Sequence, residues 1–538
     1  MFVKKSKLGY TLLSSVLAVS VLSACSKGDD TEKASGNSAK NINETGMPIA
    51  KEKIELSGYA GKLFASQDWN KLMLWEEYEK MTNIHINWKT VQTDSLKEKR
   101  NLELVSGEYS DLFFATAIPK ADLIKYGQQG TFLKLNDLID KYAPNFKKIM
   151  EQYPVVEKGI TMPDGSIYGL PAIYDPEFKS LTMGTPWINK EWLDKLGLKE
   201  PENLDEFYEV LKAFKEKDPN GNGKADEVPW SSHGGILGAI GYLKGSFGIN
   251  NHGSSNAYID LEPGTDKLRF TATSTAYKEM LEYLHKLYKE GLLDQEVFTH
   301  KSVDYPAIAS KGHIGVLSSI DPETIFGLKG YIGIPVLTGP DGQRLLTDMG
   351  SPLGNIGMFA LTDKNKNPEA TIRWVDHLYG EEGTKMFFMG FEGVTYEEKD
   401  GELVYTEEMT KNKDGLNLDQ ALSEYLTWPG GYYPGIVKEK YFKGAEGKPA
   451  SVENAKKAEP YALKQEDIWP AFNFSPSDQD ELSVIATDIN TYIDESIAKF
   501  ITGKKSFSEW DSYVKTIEKM NLARYMEIYQ AGYENYKK

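Results

Sequence analysis

A chain of 538 residues with a single cysteine, Cys25, cannot close a disulfide within itself. Whatever it folds into is held by packing, by hydrogen bonds or by bound metal. That cysteine closes the run Leu22-Ser23-Ala24-Cys25. Ahead of it stand a basic start (Lys4, Lys5, Lys7) and an apolar stretch from Leu8 to Leu22, broken by small or polar residues. A charged head, a short apolar middle and small residues before the cut form an export signal. The stretch is too short and too rich in serine for a membrane span, which needs about 20 apolar residues.

The tetrapeptide resembles a bacterial lipobox, whose cysteine becomes the lipidated (palmitoylated) first residue of the mature chain. A lone exported cysteine needs a reason, and an amino-terminal lipid supplies one; an ordinary cleaved signal with an incidental cysteine is the alternative. Residues 1–24 are therefore expected to be a signal peptide. Residues 25–53 have almost no large apolar side chains and are expected to be a disordered tether that holds a folded body off the membrane. The body itself is expected outside the membrane, anchored through Cys25 alone.

The formal net charge is −17, and loss of the signal's lysines makes the mature chain more acidic still. Nucleic acid needs a basic footprint, so it is excluded as a partner, and so is a body lying flat on anionic lipid. The acidic surface itself means solubility. The length allows two or three domains.

From Ile54 onward the pattern is globular and mixed. Leu72, Leu74, Trp75 and Tyr78 have helical spacing, Ile84 to Trp88 alternates like a strand, and Asp111 to Thr116 reads as a short buried strand. Strands alternating with helices imply an α/β fold whose ligands gather at the carboxyl ends of strands. Asn203 with Glu206 reads as a helix cap and its box partner. Further helices are expected from Thr275 to about Glu290, stopped by Gly291, and after Asn367-Pro368. Ile314 to Leu317 and Tyr331 to Val336 read as strands, and the carboxyl-terminal third is mostly helical.

One motif carries sharp chemistry. Residues 218–227 read Asp-Pro-Asn-Gly-Asn-Gly-Lys-Ala-Asp-Glu. Asp218, Asn220 and Asn222 place side-chain oxygens at calcium-loop positions 1, 3 and 5, and Gly223 falls where such a loop turns sharply. Lys224 offers its carbonyl, and Asp226 and Glu227 add carboxylates. Position 12 is Pro229 rather than a bidentate glutamate, so the loop lacks the second helix of a switching EF-hand. The expected role is a structural calcium site; a plain polar Asn-Gly turn is the alternative.

No HExxH pair, GxSxG elbow or Walker A loop is present. The 79 acidic residues guarantee carboxylate pairs by composition, so no one pair marks a glycosidase. Trp75, Trp192 and Trp374 sit inside helical patterns and are assigned to packing. Trp69, Trp187, Trp230 and Trp428 sit near turns, where an aromatic ring serves equally as a loop anchor or as a sugar-stacking surface.

Several runs carry a family resemblance: Gly130 to Ile139, Pro163 to Pro171, Gly291 to Asp294 and Glu392 to Tyr396. With the lipobox, tether and calcium loop they resemble the family 1 extracellular solute-binding lipoproteins of carbohydrate ABC importers. The likeness extends to the long, calcium-containing alginate- and pectic-oligosaccharide-binding subgroup. The resemblance implies a two-lobed periplasmic-binding-protein-like fold (type II) with a hinge, an interlobe cleft and extra carboxyl-terminal helices. It implies lobe 1 over 54–171 plus 315–360 and lobe 2 over 172–314 plus 361–538. Crossings are expected near Tyr168–Pro171, Ile314–Leu317 and Ala360–Asp363. Cleft candidates are Gln67, Asp68, Thr116, Tyr174, Trp187, Trp230, Asp321, Trp428 and Tyr433.

The expected function is a monomeric, lipid-anchored receptor on the extracellular face of the membrane. It captures an oligosaccharide and delivers it to an ABC permease, with no catalytic residues of its own. A secreted carbohydrate-active enzyme and a peptide-binding receptor are the rival readings.

Overall fold

The structure is a computed structural model that describes residues 39–63, 66–299, 304–347, 349–427 and 432–538. Ten strands organise it: β1 Ile54–Lys62, β2 Ile84–Gln92, β3 Leu112–Phe114, β4 Ile173–Tyr174, β5 Trp187–Asn189, β6 Val228–Trp230, β7 Ile314–Leu317, β8 Tyr331–Gly333, β9 Phe359–Leu361 and β10 Ile436–Val437. Eight of them build two four-stranded mixed sheets, each with its own core, and β4 and β10 form a separate pair.

The first sheet runs β9-β3-β1-β2, with β1 parallel to both neighbours and β9 antiparallel at the edge. Gly58 in the middle of β1 makes room for a large ring: a Cβ there would come within 2.7 Å of Trp88. Trp88 joins Trp69, Trp75 and Trp374 in a buried cluster, with Trp75 centred 5.0 Å from Trp88 and 5.7 Å from Trp374. The helical pattern expected over Trp69–Met81 forms the helix Met73–Thr82, which contributes Leu74, Trp75 and Tyr78 to this core. Apolar burial on this scale, about 25 cal/mol per Å², does the work that disulfides do in smaller exported domains.

The second sheet runs β8-β5-β7-β6, with β6 and β7 parallel. Helix Leu204–Glu216 begins as expected at Asn203, which accepts a hydrogen bond from the Glu206 amide at 2.9 Å. The Glu206 carboxylate reaches one residue further back than a capping box, accepting from the Glu202 amide. Helix Thr275–Lys289 packs on the long helix Pro476–Ile501, so the carboxyl-terminal helices belong to this lobe. Asn367 makes no side-chain cap bond to the helix Pro368–His377.

Three expectations change. First, the tether expected over 25–53 is folded from residue 39 on: Ile42, Ile49 and Ala50 are buried and the Ile49 and Ala50 amides donate to the Thr82 carbonyl. Arg373 donates to the carbonyls of Asn43 and Gly46, clamping the segment onto lobe 1. Three small apolar side chains in a polar run are a weak periodic signal, and the arginine lies more than three hundred residues away.

Second, the lobe boundaries move. Ile314–Leu317 is no crossing; as β7 it lies between β5 and β6 in the middle of the second sheet. Residues 315–347 therefore stay in lobe 2. Third, residues 361–427 and 432–442 return to lobe 1, because Ile372, Trp374 and Val375 bury against its indoles and Phe387 and Phe388 extend that core. The chain crosses at 174–183, 349–353 and 443–449. These segments lie side by side: the Ser180 hydroxyl donates to the Glu446 carbonyl at 2.6 Å and Met183 bridges Met349, and just ahead of them β4 pairs parallel with β10 and Ile173 bridges Leu353. The first crossing lies within a few residues of the one expected at Tyr168–Pro171.

Candidate functional site: the cleft between the lobes

The carboxyl ends of the parallel strands form two walls on either side of the crossing segments, the position where open α/β sheets hold ligands. In lobe 1, β1 ends at Lys62, whose ammonium donates to the carbonyls of Ser66 and Gln67 at 3.3 and 3.2 Å. β3 runs into Ala115 and Ala117, both at positive φ (52° and 44°). Left-handed alanine costs roughly 1 kcal/mol or more per residue, and Arg100 offsets it. Its guanidinium, 3% exposed, donates to the Thr116 and Ala117 carbonyls at 2.8 and 2.9 Å.

In lobe 2, β6 ends in Ser231-Ser232-His233 and β7 in Ser318-Ser319-Ile320. Ser232, His233 and Ser318 to Ile320, with Gly184 to Pro186 just past the first crossing, line a cavity of about 280 Å³. Ser231 donates to Asp294 at 2.6 Å, and the Ser232 and Ser318 hydroxyls lie 3.2 Å apart. The wall is thus small, hydroxyl-rich and open, suited to polar ligand groups.

A protein-family model described as bacterial extracellular solute-binding protein matches residues 66–385 of this chain. The chain belongs to that family. The fructooligosaccharide ABC transporter substrate-binding protein FusA of Streptococcus pneumoniae is 31% identical over 98% of this chain and 97% of its own. FusA in complex with kestose superposes with a TM-score of 0.72 at 29% identity, covering 90% of this chain and 99% of that one. An HMO-binding, ABC-transporter-associated solute-binding protein of Bifidobacterium longum infantis gives a TM-score of 0.75 at 25% identity, covering 90% and 99%. The polygalacturonan/rhamnogalacturonan-binding protein YtcQ of Bacillus subtilis is 24% identical over 98% of each chain. The expected family and the two-lobed α/β fold are borne out.

Within this solute-binding protein the cleft candidates divide. Thr116 lies at the end of β3, fully buried, with its hydroxyl unpartnered. Gln67 and Asp68 are exposed at the end of β1, although Asp68 caps the Trp69–Lys71 turn through the Asn70 amide. Tyr174 stands half-buried at the hinge, its hydroxyl pKa raised by burial and by Glu446. The others serve structure. Trp187 is buried in β5 with its indole nitrogen donating to the Ser319 carbonyl. Trp230 is fully buried, edge-on to Phe207 and Tyr242. Asp321 caps the Pro322–Phe326 helix by accepting from Thr324 at 2.7 Å. Tyr433 is stacked in the lobe 1 core. Of the two roles open to a ring near a turn, Trp187, Trp230 and Tyr433 take the buried one. Trp428 and Cys25 lie outside the described residues.

Sequence reasoning missed Arg100 and the serine pairs after β6 and β7. Arg100 sits in a helix of ordinary composition, and only the strand end beside it gives it meaning.

The 218–227 loop is tightly self-bonded. Asp218, at φ +44°, accepts from the Gly221, Asn222 and Gly223 amides. The Asn220 and Asn222 amides donate to Asp226 at 3.0 Å. One Glu227 carboxylate oxygen is buried without a partner. Among the described residues no three carboxylate, histidine or cysteine side chains converge on one point; a cation here would draw on the amide and carbonyl oxygens as well. Five oxygen-bearing side chains within ten residues, one of them an orphaned buried carboxylate, fit a hard cation.

Proposed function

We propose that this protein is the receptor of a carbohydrate ABC importer, binding an oligosaccharide between its lobes and presenting it to the membrane permease. The observation that carries the reading is the pair of strand-end walls flanking a hinge of three adjacent crossings. Only short segments connect the lobes there, so they can close on a ligand that both walls touch. A ligand contacting both walls binds the closed form better and shifts the equilibrium toward it. The relatives' oligosaccharide ligands support the substrate class.

Lipidation at Cys25 would hold the receptor at the extracellular face of the membrane. Calcium in the 218–227 loop would stiffen the connection from the Leu204–Glu216 helix to β6 and hence the lobe 2 wall. Asp218, Asn220, Asn222, Asp226 and Glu227 would hold it through side-chain oxygens, and Lys224 through its carbonyl. The unpartnered Glu227 oxygen supports this, as does the existence of an EF-hand mutant of FusA.

Thermal unfolding of the mature chain with saturating calcium, against neutral and acidic oligosaccharides and peptides, tests the reading. A ligand at a hundred times its Kd adds about 2.7 kcal/mol. A rise in Tm with one sugar class, and recovery of that sugar intact, is the expected result. Breakdown of the sugar, or a response to peptides alone, would refute it.

A further inference from the structure

The chain contains two Asn-Gly pairs, Asn220-Gly221 and Asn222-Gly223, and both lie in the 218–227 loop. The backbone demands the glycines: φ is +75° at Gly221 and +74° at Gly223, a left-handed conformation that glycine adopts without strain. The same lack of a side chain leaves each glycine nitrogen open to the asparagine before it. Once that nitrogen loses its proton to hydroxide, it can attack the asparagine Cγ. The N–Cγ bond forms, the side-chain nitrogen leaves as ammonia, and a cyclic imide remains. Water then opens the imide at either carbonyl. Opening at Cγ gives an aspartate, and opening at the backbone carbonyl gives an isoaspartate.

The two pairs differ in their surroundings. Gly221 is covered by Lys195: a Cβ there would come within 2.7 Å of the ammonium, which donates to the Pro219 carbonyl at 2.7 Å. Gly223 has nothing within 4 Å of the same position, and Asn222 is exposed where Asn220 is half-buried. What restrains Asn222-Gly223 is a bracket of two carboxylates. Asp218 accepts from the Gly223 amide at 3.0 Å, which ties down the attacking nitrogen and favours its protonated form. Asp226 accepts from the Asn222 side-chain amide at 3.0 and 3.1 Å, and the Asn222 Oδ1 accepts from the Lys224 amide at 2.8 Å. The group under attack is thus held at both ends.

Conversion reverses one of these contacts. The Asn222 amide donates to Asp226, whereas a carboxylate in its place only accepts. Two like charges then meet at hydrogen-bond distance, and a hard cation between them relieves the contact while gaining a charged oxygen ligand. We propose that Asn222 is a site of spontaneous deamidation, slowed by Asp218 and Asp226, and that conversion to aspartate turns the loop from a self-bonded turn into one that depends on a cation. The cation dependence rests on the calcium reading above; the deamidation site does not.

The test is a time course of the mature chain at mildly alkaline pH under chelation, read by peptide mapping with mass spectrometry, which separates the aspartate and isoaspartate products. It is run on the folded wild type, on the same chain unfolded in urea, and on Asp226→Ala and Asp226→Asn, each checked for folding by circular dichroism. Conversion at Asn222 should be about tenfold or more slower in the folded wild type than in urea, the effect of hydrogen bonds to a charged group. Asp226→Ala should recover most of that difference, Asp226→Asn should lie between, and Asn220 should lag behind Asn222 in every folded sample. Equal rates folded and unfolded, no conversion in folded Asp226→Ala, or Asn220 ahead of Asn222 would overturn the site. Scanning calorimetry of Asn222→Asp reads the consequence: a lower Tm than wild type under chelation and a larger rise with calcium. If calcium stabilises Asn222→Asp no more than the wild type, the cation dependence is overturned and the deamidation site stands on the mass data. If calcium stabilises neither, the calcium reading falls with it.

Discussion

Tyr433 lies flat against Phe387, with ring centroids 4.0 Å apart and planes inclined by 15°, and its hydroxyl donates to the Ile436 carbonyl at 2.6 Å. The ring is fully buried in the core of lobe 1, close to β10, and leaves no surface for a sugar.

The consequence separates stability from binding. Tyr433→Ala should cost about 3–5 kcal/mol, the usual price of emptying a large aromatic site. Tyr433→Phe should cost about 1 kcal/mol for the lost hydrogen bond. Neither should change sugar affinity per folded molecule, measured by calorimetry below the denaturation midpoint. A selective loss of affinity in Tyr433→Phe would return the residue to the binding site.

Which features were legible in the sequence follows from the range of the forces involved. Helices with their own apolar periodicity, such as Met73–Thr82 and Thr275–Lys289, could be read because neighbouring residues determine them. The end of β3 is legible because Asp111 to Thr116 is an apolar run closing on small residues, whereas no strand is read from the sequence at β1. Trp230 and Tyr433 were misread because a ring after a turn points outward or inward according to what packs over it, and Phe207 and Phe387 are remote or unremarkable in sequence. The lobe boundary failed for the same reason. Ile314–Leu317 looks alike as a sheet centre or a crossing until β5 and β6 are seen on either side of it. Arg100 became visible only when the Thr116 and Ala117 carbonyls had been brought to it.

The amino-terminal strap has a removable clamp. Arg373 holds the carbonyls of Asn43 and Gly46, while Ile42, Ile49 and Ala50 supply apolar burial. Arg373→Met keeps most of the stem volume and removes the hydrogen bonds, about 1.5–3 kcal/mol each when the donor is charged. Proteolysis between residues 40 and 50 should accelerate by about tenfold or more, while the main thermal transition moves by only a few degrees. Mass spectrometry of the cleavage products checks this. Unchanged cleavage would mean that the three apolar residues suffice.

Calcium in the 218–227 loop makes a prediction of its own. Asp218 serves three amides even without an ion, so removing it destabilises the loop in either case and decides nothing. Glu227 has a buried oxygen that makes no bond. Glu227→Gln should therefore leave the chelated protein as stable as the wild type or slightly more so, and abolish most of the rise in Tm that calcium gives. Calcium titrations followed by scanning calorimetry read both quantities. If chelation leaves the wild-type Tm unchanged, the loop is a self-bonded turn and no metal site.

Asp376 supplies a pH dependence whose sign opposes ordinary acid denaturation. Its carboxyl is buried, and burial pushes its pKa up to about 6 even though the Phe146 and Asn145 amides, the Asn145 side chain and Arg373 all favour the anion. In the unfolded chain the group titrates at its ordinary value, near 4. Between these values the folded state binds more protons than the unfolded one, so this residue makes stability fall as pH rises from about 4 to about 6. A displacement of roughly two units corresponds to at most about 3 kcal/mol, fully present above pH 6 and absent below pH 4. Asp376→Asn cannot titrate. It will be less stable at every pH, because an amide offers one acceptor where two oxygens met several donors, so the informative quantity is the slope. Denaturation midpoints from pH 4 to 7 should show the wild type losing stability relative to the variant as pH rises, with the difference levelling above pH 6. Parallel curves would show that Arg373 keeps Asp376 ionised throughout.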